Sequence, residues 1–192
     1  MQILSFLCIS YLLSVRFRRL CEMLLVGDVD YMRRQFRLQE VWWLHCSLAN
    51  ATETINSVYT VQLLLWISCM SFNTLSRIYT INETHDISLL LKVRESLLVT
   101  ACAGNLLMIT MICHATASQA NRVGKVLFSP LSFVVGNRNF LQDNVEAAAY
   151  FQLRTVHFFA ASGLIRIDLP LLLSIASGIT TYLVILHAAN GT

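Results

Sequence analysis

The chain has 192 residues, 56% of them hydrophobic and only 13% charged, about half the charged fraction of an average soluble domain. Mean hydropathy is +0.60, which excludes a disordered chain, and a net charge of +3 is too small and too spread out for a nucleic-acid-binding surface. The fold class this implies is all-α: a multi-pass transmembrane helical bundle with cytosolic helical extensions.

Residues 1–15 are apolar and are followed by Arg16, Arg18 and Arg19. A secretory signal would carry basic residues before its apolar part and small residues at a cleavage site; neither is present here. At about 22 Å as a helix, the stretch falls short of the roughly 30 Å bilayer core. We read it as a partial transmembrane helix whose beginning is missing.

Residues 16–57 place Leu20, Met23, Leu24, Phe36, Leu38, Val41, Trp42, Leu44, Leu48 and Ile55 at spacings of three and four, which predicts a cytosolic helical segment. Val58 to Ser76 carry no charge, and 58–80 is predicted to cross the membrane. Residues 81–95 form an extracellular loop on this reading. Ser96 to Ala120 are again free of Lys, Arg, Asp and Glu, so 96–117 is the next span. Residues 118–168 are predicted as a second cytosolic helical segment, with Asp143 or Asn144 as a cap before the helix-favouring Glu146-Ala-Ala-Ala149. Residues 169–189 hold no charge and form the last span. Asp168 can accept hydrogen bonds from its first free amides, and Pro170 falls in its first turn, where a missing N–H costs nothing. A charge at the centre of such a span costs about 2.5–3.5 kcal/mol on insertion scales, so its absence from every apolar run is a signal.

Eleven of the 14 Lys and Arg residues fall in 16–57 and 121–168, against Arg77, Lys92 and Arg94 between the second and third runs. The positive-inside rule then puts the two long segments in the cytosol and the C-terminus outside. Asn82-Glu-Thr84 is a glycosylation sequon on the outer side. Asn190-Gly-Thr192 is another near the chain end, and Asn50-Ala-Thr52 lies on the cytosolic side.

The chemistry of common enzymes is missing from the sequence. Cysteines 8, 21, 46, 69, 102 and 113 make no C-x-x-C, and histidines 45, 85, 114, 157 and 187 show no metal-ligand spacing. There is no P-loop and no G-x-S-x-G. We expect no enzyme activity, no metal, no cofactor and no nucleic-acid partner. What the sequence offers is packing and passage. Ser174-x-x-x-Gly178 is a small-x-x-x-small pair, and Ser174, Ser177, Thr180 and Thr181 bring hydroxyls to an uncharged helix. Ala101, Gly104 and Asn105 form a similar close-packing spot.

The final helix contains Thr181-Tyr182-Leu183-Val184-Ile185-Leu186, preceded by Phe158-Phe-Ala-Ala-Ser-Gly163 and Ile167-Asp168. Together with Asn56 and Gln62-Leu63-Leu64, these residues resemble the insect gustatory receptor family, seven-transmembrane chemoreceptors related to the insect odorant receptors. The family's motif is Thr-Tyr, five hydrophobic residues, then Gln-Phe. Here His187 takes the fifth hydrophobic place, and Ala188-Ala189 replace Gln-Phe. The resemblance covers roughly residues 40–190 and is specific only in the last forty.

It implies the C-terminal half of a ligand-gated cation channel subunit in the plasma membrane. Such a subunit detects a small-molecule tastant and assembles as a homo- or hetero-tetramer with other receptor subunits, with membrane lipid around it. Four last helices would surround the pore. Ser177, Thr181, Ile185 and Ala188, at spacings of four, four and three, would face it. The ligand pocket would lie in the outer half of the bundle, around Phe72, Ser76, Tyr79, Glu95 and Leu98. Two other readings stand beside this one: a truncated or degenerate, non-conducting receptor product, and an unrelated multi-pass membrane scaffold.

Overall fold

A computed structural model describes residues 2–25, 31–83, 89–127 and 145–190. In chain order the elements are helices α1 (Gln2–Leu25), α2 (Tyr31–Glu83), α3 (Leu89–Leu127) and α4 (Val145–Leu153), strand β1 (Phe159–Ala160), a 3-10 turn (Ala161–Gly163), strand β2 (Ile165–Arg166) and helix α5 (Leu169–Asn190). Three stretches are long and apolar enough to cross a membrane: Gln39–Ile81, Leu89–Val126 and Leu169–Leu186. The chain is thus the all-α membrane bundle that its composition requires.

Backbone groups in lipid have no water to bond, which forces these stretches into helix. Their hydroxyls follow the same rule by bonding back to the helix that carries them. Thr52 donates to Leu48 O at 2.8 Å, Ser71 to Ile67 O at 2.7 Å, Thr74 to Met70 O at 2.8 Å and Thr100 to Ser96 O at 2.9 Å. No hydroxyl in this group needs a partner from another helix.

α1 runs unbroken through residue 15 to Leu25, in keeping with a partial span followed by a helical segment, because three arginines on a helix that also carries apolar residues do not interrupt its backbone bonding. The observed elements differ from the sequence reading in two places. α2 continues to Glu83 and α3 begins at Leu89, so most of the expected 81–95 loop is helical; nothing between Ile81 and Glu83 or after Leu89 breaks the i to i+4 ladder. The second difference is a correction. The segment expected to be helical through 168 leaves the helix after Leu153 and forms an extended stretch and a two-stranded hairpin over 159–166.

The cause of that last departure lies in a side chain. Asn121 of α3 grips the backbone of Val156 from both sides: its amide donates to Val156 O at 2.9 Å, and its carbonyl accepts from Val156 N at 2.8 Å. Val156 is only 2% exposed, so its backbone needs partners, and Asn121 supplies what a helix or strand would have given. The hairpin then pairs Phe159 with Arg166 and Ala160 with Ile165. Its turn needs left-handed backbone at Ala161 (φ 53°) and Gly163 (φ 102°), and glycine adopts the second without strain. The candidate cap Asp143 or Asn144 lies outside the described residues.

The chain divides into two compact units, Met1–Val58 with Ile112–Phe158, and Tyr59–Met111 with Phe159–Thr192. The first has two buried layers. One joins Leu20 and Cys21 of α1, Val41 of α2, Val123 of α3 and Phe151 of α4, with Trp42 and Tyr150 against it. The other joins Phe17, Ala49, Ala120 and Val156, with Leu48 against it. Along α1 the buried positions are Phe6, Leu7, Ser10, Leu13, Phe17, Leu20 and Cys21, the spacing of one helix face. Thr116 fastens α3 to α1 by donating to Ser10 O at 3.0 Å, and Phe6 meets Phe158 edge to face at 6.2 Å. In the second unit, Leu63, Ile67, Leu106, Ile109, Ala160 and Ile167 are buried, and Thr60 donates to Phe159 O at 3.4 Å. Leu4, Tyr11, Leu12, Phe72, Leu90 and Leu173 all point outward with more than half their surface exposed, which is sensible only where the surroundings are lipid or another apolar partner.

Candidate functional site

Three constellations carry the polar chemistry. The first is the last helix. Asp168 caps it, Oδ1 accepting from Leu171 N at 3.2 Å, as the sequence leads one to expect. Oδ2 takes Arg166 Nε at 3.1 Å. The helix that follows has one half-buried stripe, Leu172, Ile175, Ile179, Leu183 and Leu186, spaced as one face. Ser177, Thr181, Ile185 and Ala188 are all exposed, and at 100° per residue they fall on the side away from that stripe. Thr181 Oγ1 donates to Ser177 O at 2.9 Å and Thr180 Oγ1 to Ala176 O at 2.9 Å. Each hydroxyl hydrogen is therefore turned back onto the helix, and each oxygen keeps lone pairs facing outward. Tyr182 is half-exposed, and the side chains of His187 and Ala189 lie outside the described ones.

The second constellation joins α2 and α3 at equal distances from the connection between them. Glu95 is buried, 7% exposed. Its Oε2 receives Arg77 Nη1 and its Oε1 receives Arg94 Nη2 at 2.7 Å and Arg94 Nε at 3.1 Å. The two arginines leave the cluster with one surplus positive charge. A buried carboxylate is costly unless paired in this way, so Glu95 ties the two helices together. Of the other residues expected around a ligand, Phe72, Ser76 and Leu98 are exposed and Tyr79 is partly buried. The structure therefore gives Glu95 an ion-pair role, whereas Phe72, Ser76 and Leu98 are open to contact. Asn82 stands in the last turn of α2, its side chain outside the described ones.

The third is His45, 2% exposed at the centre of the first unit. Its Nε2 lies 3.2 Å from Ala120 O and its Nδ1 3.1 Å from Tyr150 Oη. A carbonyl only accepts, so Nε2 carries the hydrogen, and Nδ1 accepts from the Tyr150 hydroxyl. Burial pushes that hydroxyl up to about 12, which keeps it a donor at any physiological pH. Phe17, Tyr150 and Phe151 surround the ring edge to face at 5.5, 5.7 and 4.9 Å. Arg154 lies over Tyr150 at 5.8 Å and reaches Glu53 at 2.9 Å. His45 is thus a satisfied core histidine rather than a ligand. Among the described residues no group of His, Cys, Asp or Glu could hold a metal ion.

Sequence reasoning missed the Glu95 and Asn121 clasps. The only signal for the first was opposite charges flanking one short connection. For the second there was none, since an asparagine on a helix face does not announce a partner 35 residues away.

Long apolar helices, apolar outer surfaces and hydroxyls folded back on their own backbone define a polytopic membrane protein. Over residues 1–187 the chain matches the 7tm chemosensory receptor family, and it belongs to that family. No curated protein matches it. Membership brings a chemoreceptor role with small-molecule ligands in a membrane setting, in a family of receptors and not of enzymes.

Proposed function

We propose that this chemoreceptor is a gustatory-type receptor chain that contributes a pore helix to a ligand-gated cation channel of the plasma membrane, assembled as a homo- or hetero-tetramer. The observation that carries the reading is α5. It is uncharged through Leu169–Leu186, no residue of that stretch is fully buried by the rest of the chain, and its outward face carries Ser177 and Thr181. Thr181 spends its hydrogen on Ser177 O, so it offers an oxygen lone pair, which suits a passing cation better than an anion. Membership of the chemosensory family supports the same reading. The topology that goes with it has the spans near 58–80, 96–117 and 169–189, the arginine-rich segments in the cytosol and Asn82 and the C-terminus outside. The tastant would bind near Phe72, Ser76, Tyr79 and Leu98, beside the Arg77–Glu95 tie.

The test is current recording from cells expressing the full chain, alone and with other receptor subunits, during application of a tastant panel. Thr181→Leu removes the lone pair and is expected to cut conductance or shift cation permeability at unchanged surface expression. A channel whose conduction ignores changes at Ser177, Thr181, Ile185 and Ala188 alike would refute the lining assignment. A correctly inserted chain that never conducts in any combination favours the second reading, a receptor product that packs but does not pass ions.

A further inference from the structure

We infer that the small-molecule ligand of this chain is an amphipathic carboxylate, its head held by Arg94 and Arg77 and its apolar part laid along Leu97 and Leu98. The inference rests on the proposal that a small molecule binds at the outer end of the second unit, and it adds the chemical class of that molecule. It does not depend on conduction.

A count of charges and donors gives the head. Among the described side chains at this end, one carboxylate, Glu95, meets three cations, Arg77, Lys92 and Arg94. Glu95 is shared: Arg77 donates from Nη1 to Oε2, and Arg94 from Nη2 and Nε to Oε1. A guanidinium has five N–H donors, so Arg77 spends one of its five and Arg94 two on described partners. The buried Nε of Arg77 finds no acceptor among them. Two guanidiniums on one carboxylate are short of one negative group. The way each takes one oxygen of Glu95 shows that their spacing suits a carboxylate, and a planar acceptor of single charge is what guanidinium forks match. The Arg94 side chain is 64% exposed and that of Arg77 30%, so both can be reached from outside while Glu95 lies buried behind them.

The surroundings give the apolar part. Arg94 stands just before the 96–117 span, and Arg77 lies near the outer end of 58–80, so both charges sit at the outer boundary on the proposed topology. Positions three and four away from Arg94 share its helix face. They are Leu90, Leu91, Leu97 and Leu98, and all four are exposed. A guanidinium ringed by leucines repels a cation. A polyol would cover the leucines with hydroxyls that find no partner there. A carboxylate on an alkyl chain satisfies both parts of the surface: its head completes the charge pairing, and its chain follows Leu97 and Leu98 into the span, burying apolar area as it goes.

The full chain is placed in phosphatidylcholine nanodiscs, which carry no net charge. Binding of radiolabelled octanoate is measured by equilibrium dialysis against empty discs, with 1-octanol and octylammonium as probes of equal chain length. The expected result is saturable octanoate binding, at least about tenfold tighter than that of octanol and weakened by salt, with no saturable binding of octylammonium. Arg94→Gln should loosen octanoate by about tenfold, and Lys125→Gln, in the other unit, should leave it unchanged. Glu95→Gln separates binding from damage to the fold. It removes the competing carboxylate, so octanoate should bind more tightly than in the parent and should restore the variant's thermal stability, which octanol should not. Unchanged helicity establishes that Arg94→Gln is folded; if it is not, Arg94→Lys, which keeps the charge and loses the fork, replaces it with a smaller loss. Equal retention of octanoate and octanol by the parent, an octanoate affinity indifferent to Arg94, or a Glu95→Gln variant that octanoate does not stabilise overturns the inference. So does loss of octanoate binding when phosphatidylserine is added to the discs, which would make this a lipid site. A chain that binds octanoate and never passes current refutes the channel reading alone, and a channel gated only by neutral compounds that does not bind octanoate refutes this inference alone.

Discussion

Replacing Asn121 by Leu should destabilise the first unit by about 2–5 kcal/mol. The magnitude follows from the clasp on Val156. The Asn121 side chain satisfies one donor and one acceptor of a residue that is 2% exposed. Leucine keeps the bulk but leaves both groups unpaired, and an unsatisfied buried polar group costs about 1–3 kcal/mol. Asn121→Asp separates the two bonds. It keeps an acceptor for Val156 N–H but turns an oxygen toward Val156 O, so more than half of the loss should remain. Thr60→Val is the internal comparison: the bond to Phe159 O is long at 3.4 Å and its loss should cost under about 1 kcal/mol. The assay is denaturant-induced unfolding of the full chain in detergent micelles, followed by circular dichroism and by monodispersity on gel filtration. An Asn121→Leu variant within about 0.5 kcal/mol of the parent would mean that the extended stretch before the hairpin is held by something other than this clasp.

Further outcomes follow from other contacts. His45→Phe should cost about 2 kcal/mol, because Ala120 O and the Tyr150 hydroxyl lose their partner while the aromatic cage keeps its volume; unfolding titrations of H45F and Y150F check it, and the double variant should be less than additive. Glu95→Gln should weaken the tie between α2 and α3 by leaving Arg77 and Arg94 uncompensated, and Arg77→Met/Glu95→Met should recover much of the loss, as a double-mutant cycle would read. At Gly124 an added Cβ would meet Phe151 O at 3.0 Å and Phe151 Cβ at 3.3 Å, so Gly124→Val should push α4 off α3 and cost about 1–3 kcal/mol, measured by the same unfolding assay. Raising the pH should weaken the first unit between about 10 and the Tyr150 value of about 12. A tyrosine raised in the fold favours its neutral form there, so its contribution is complete below 10 and lost on passing 12. Tyr150→Phe should remove that part of the alkaline transition.

What the sequence determined by itself was everything that depends on transfer from water to lipid. Uncharged runs of span length, arginines concentrated between alternate runs and the Asp168–Pro170 punctuation are local or additive signals. They required helices and a membrane, and the cap on Leu171 followed directly. The Thr181-Tyr182 phrase likewise carried the family resemblance without a structure. The tertiary structure alone decided which polar groups meet. Asn121 and Val156 lie on segments separated by 35 positions, and nothing in local propensity tells an extended stretch held by a side chain from one more turn of helix. That is why residues 154–168 were read as helical and were found otherwise. His45 and Tyr150, 105 positions apart, are another such pair. Helix formation is governed by neighbours a few residues away, and pairing between buried polar groups by whichever distant residue fills the same space.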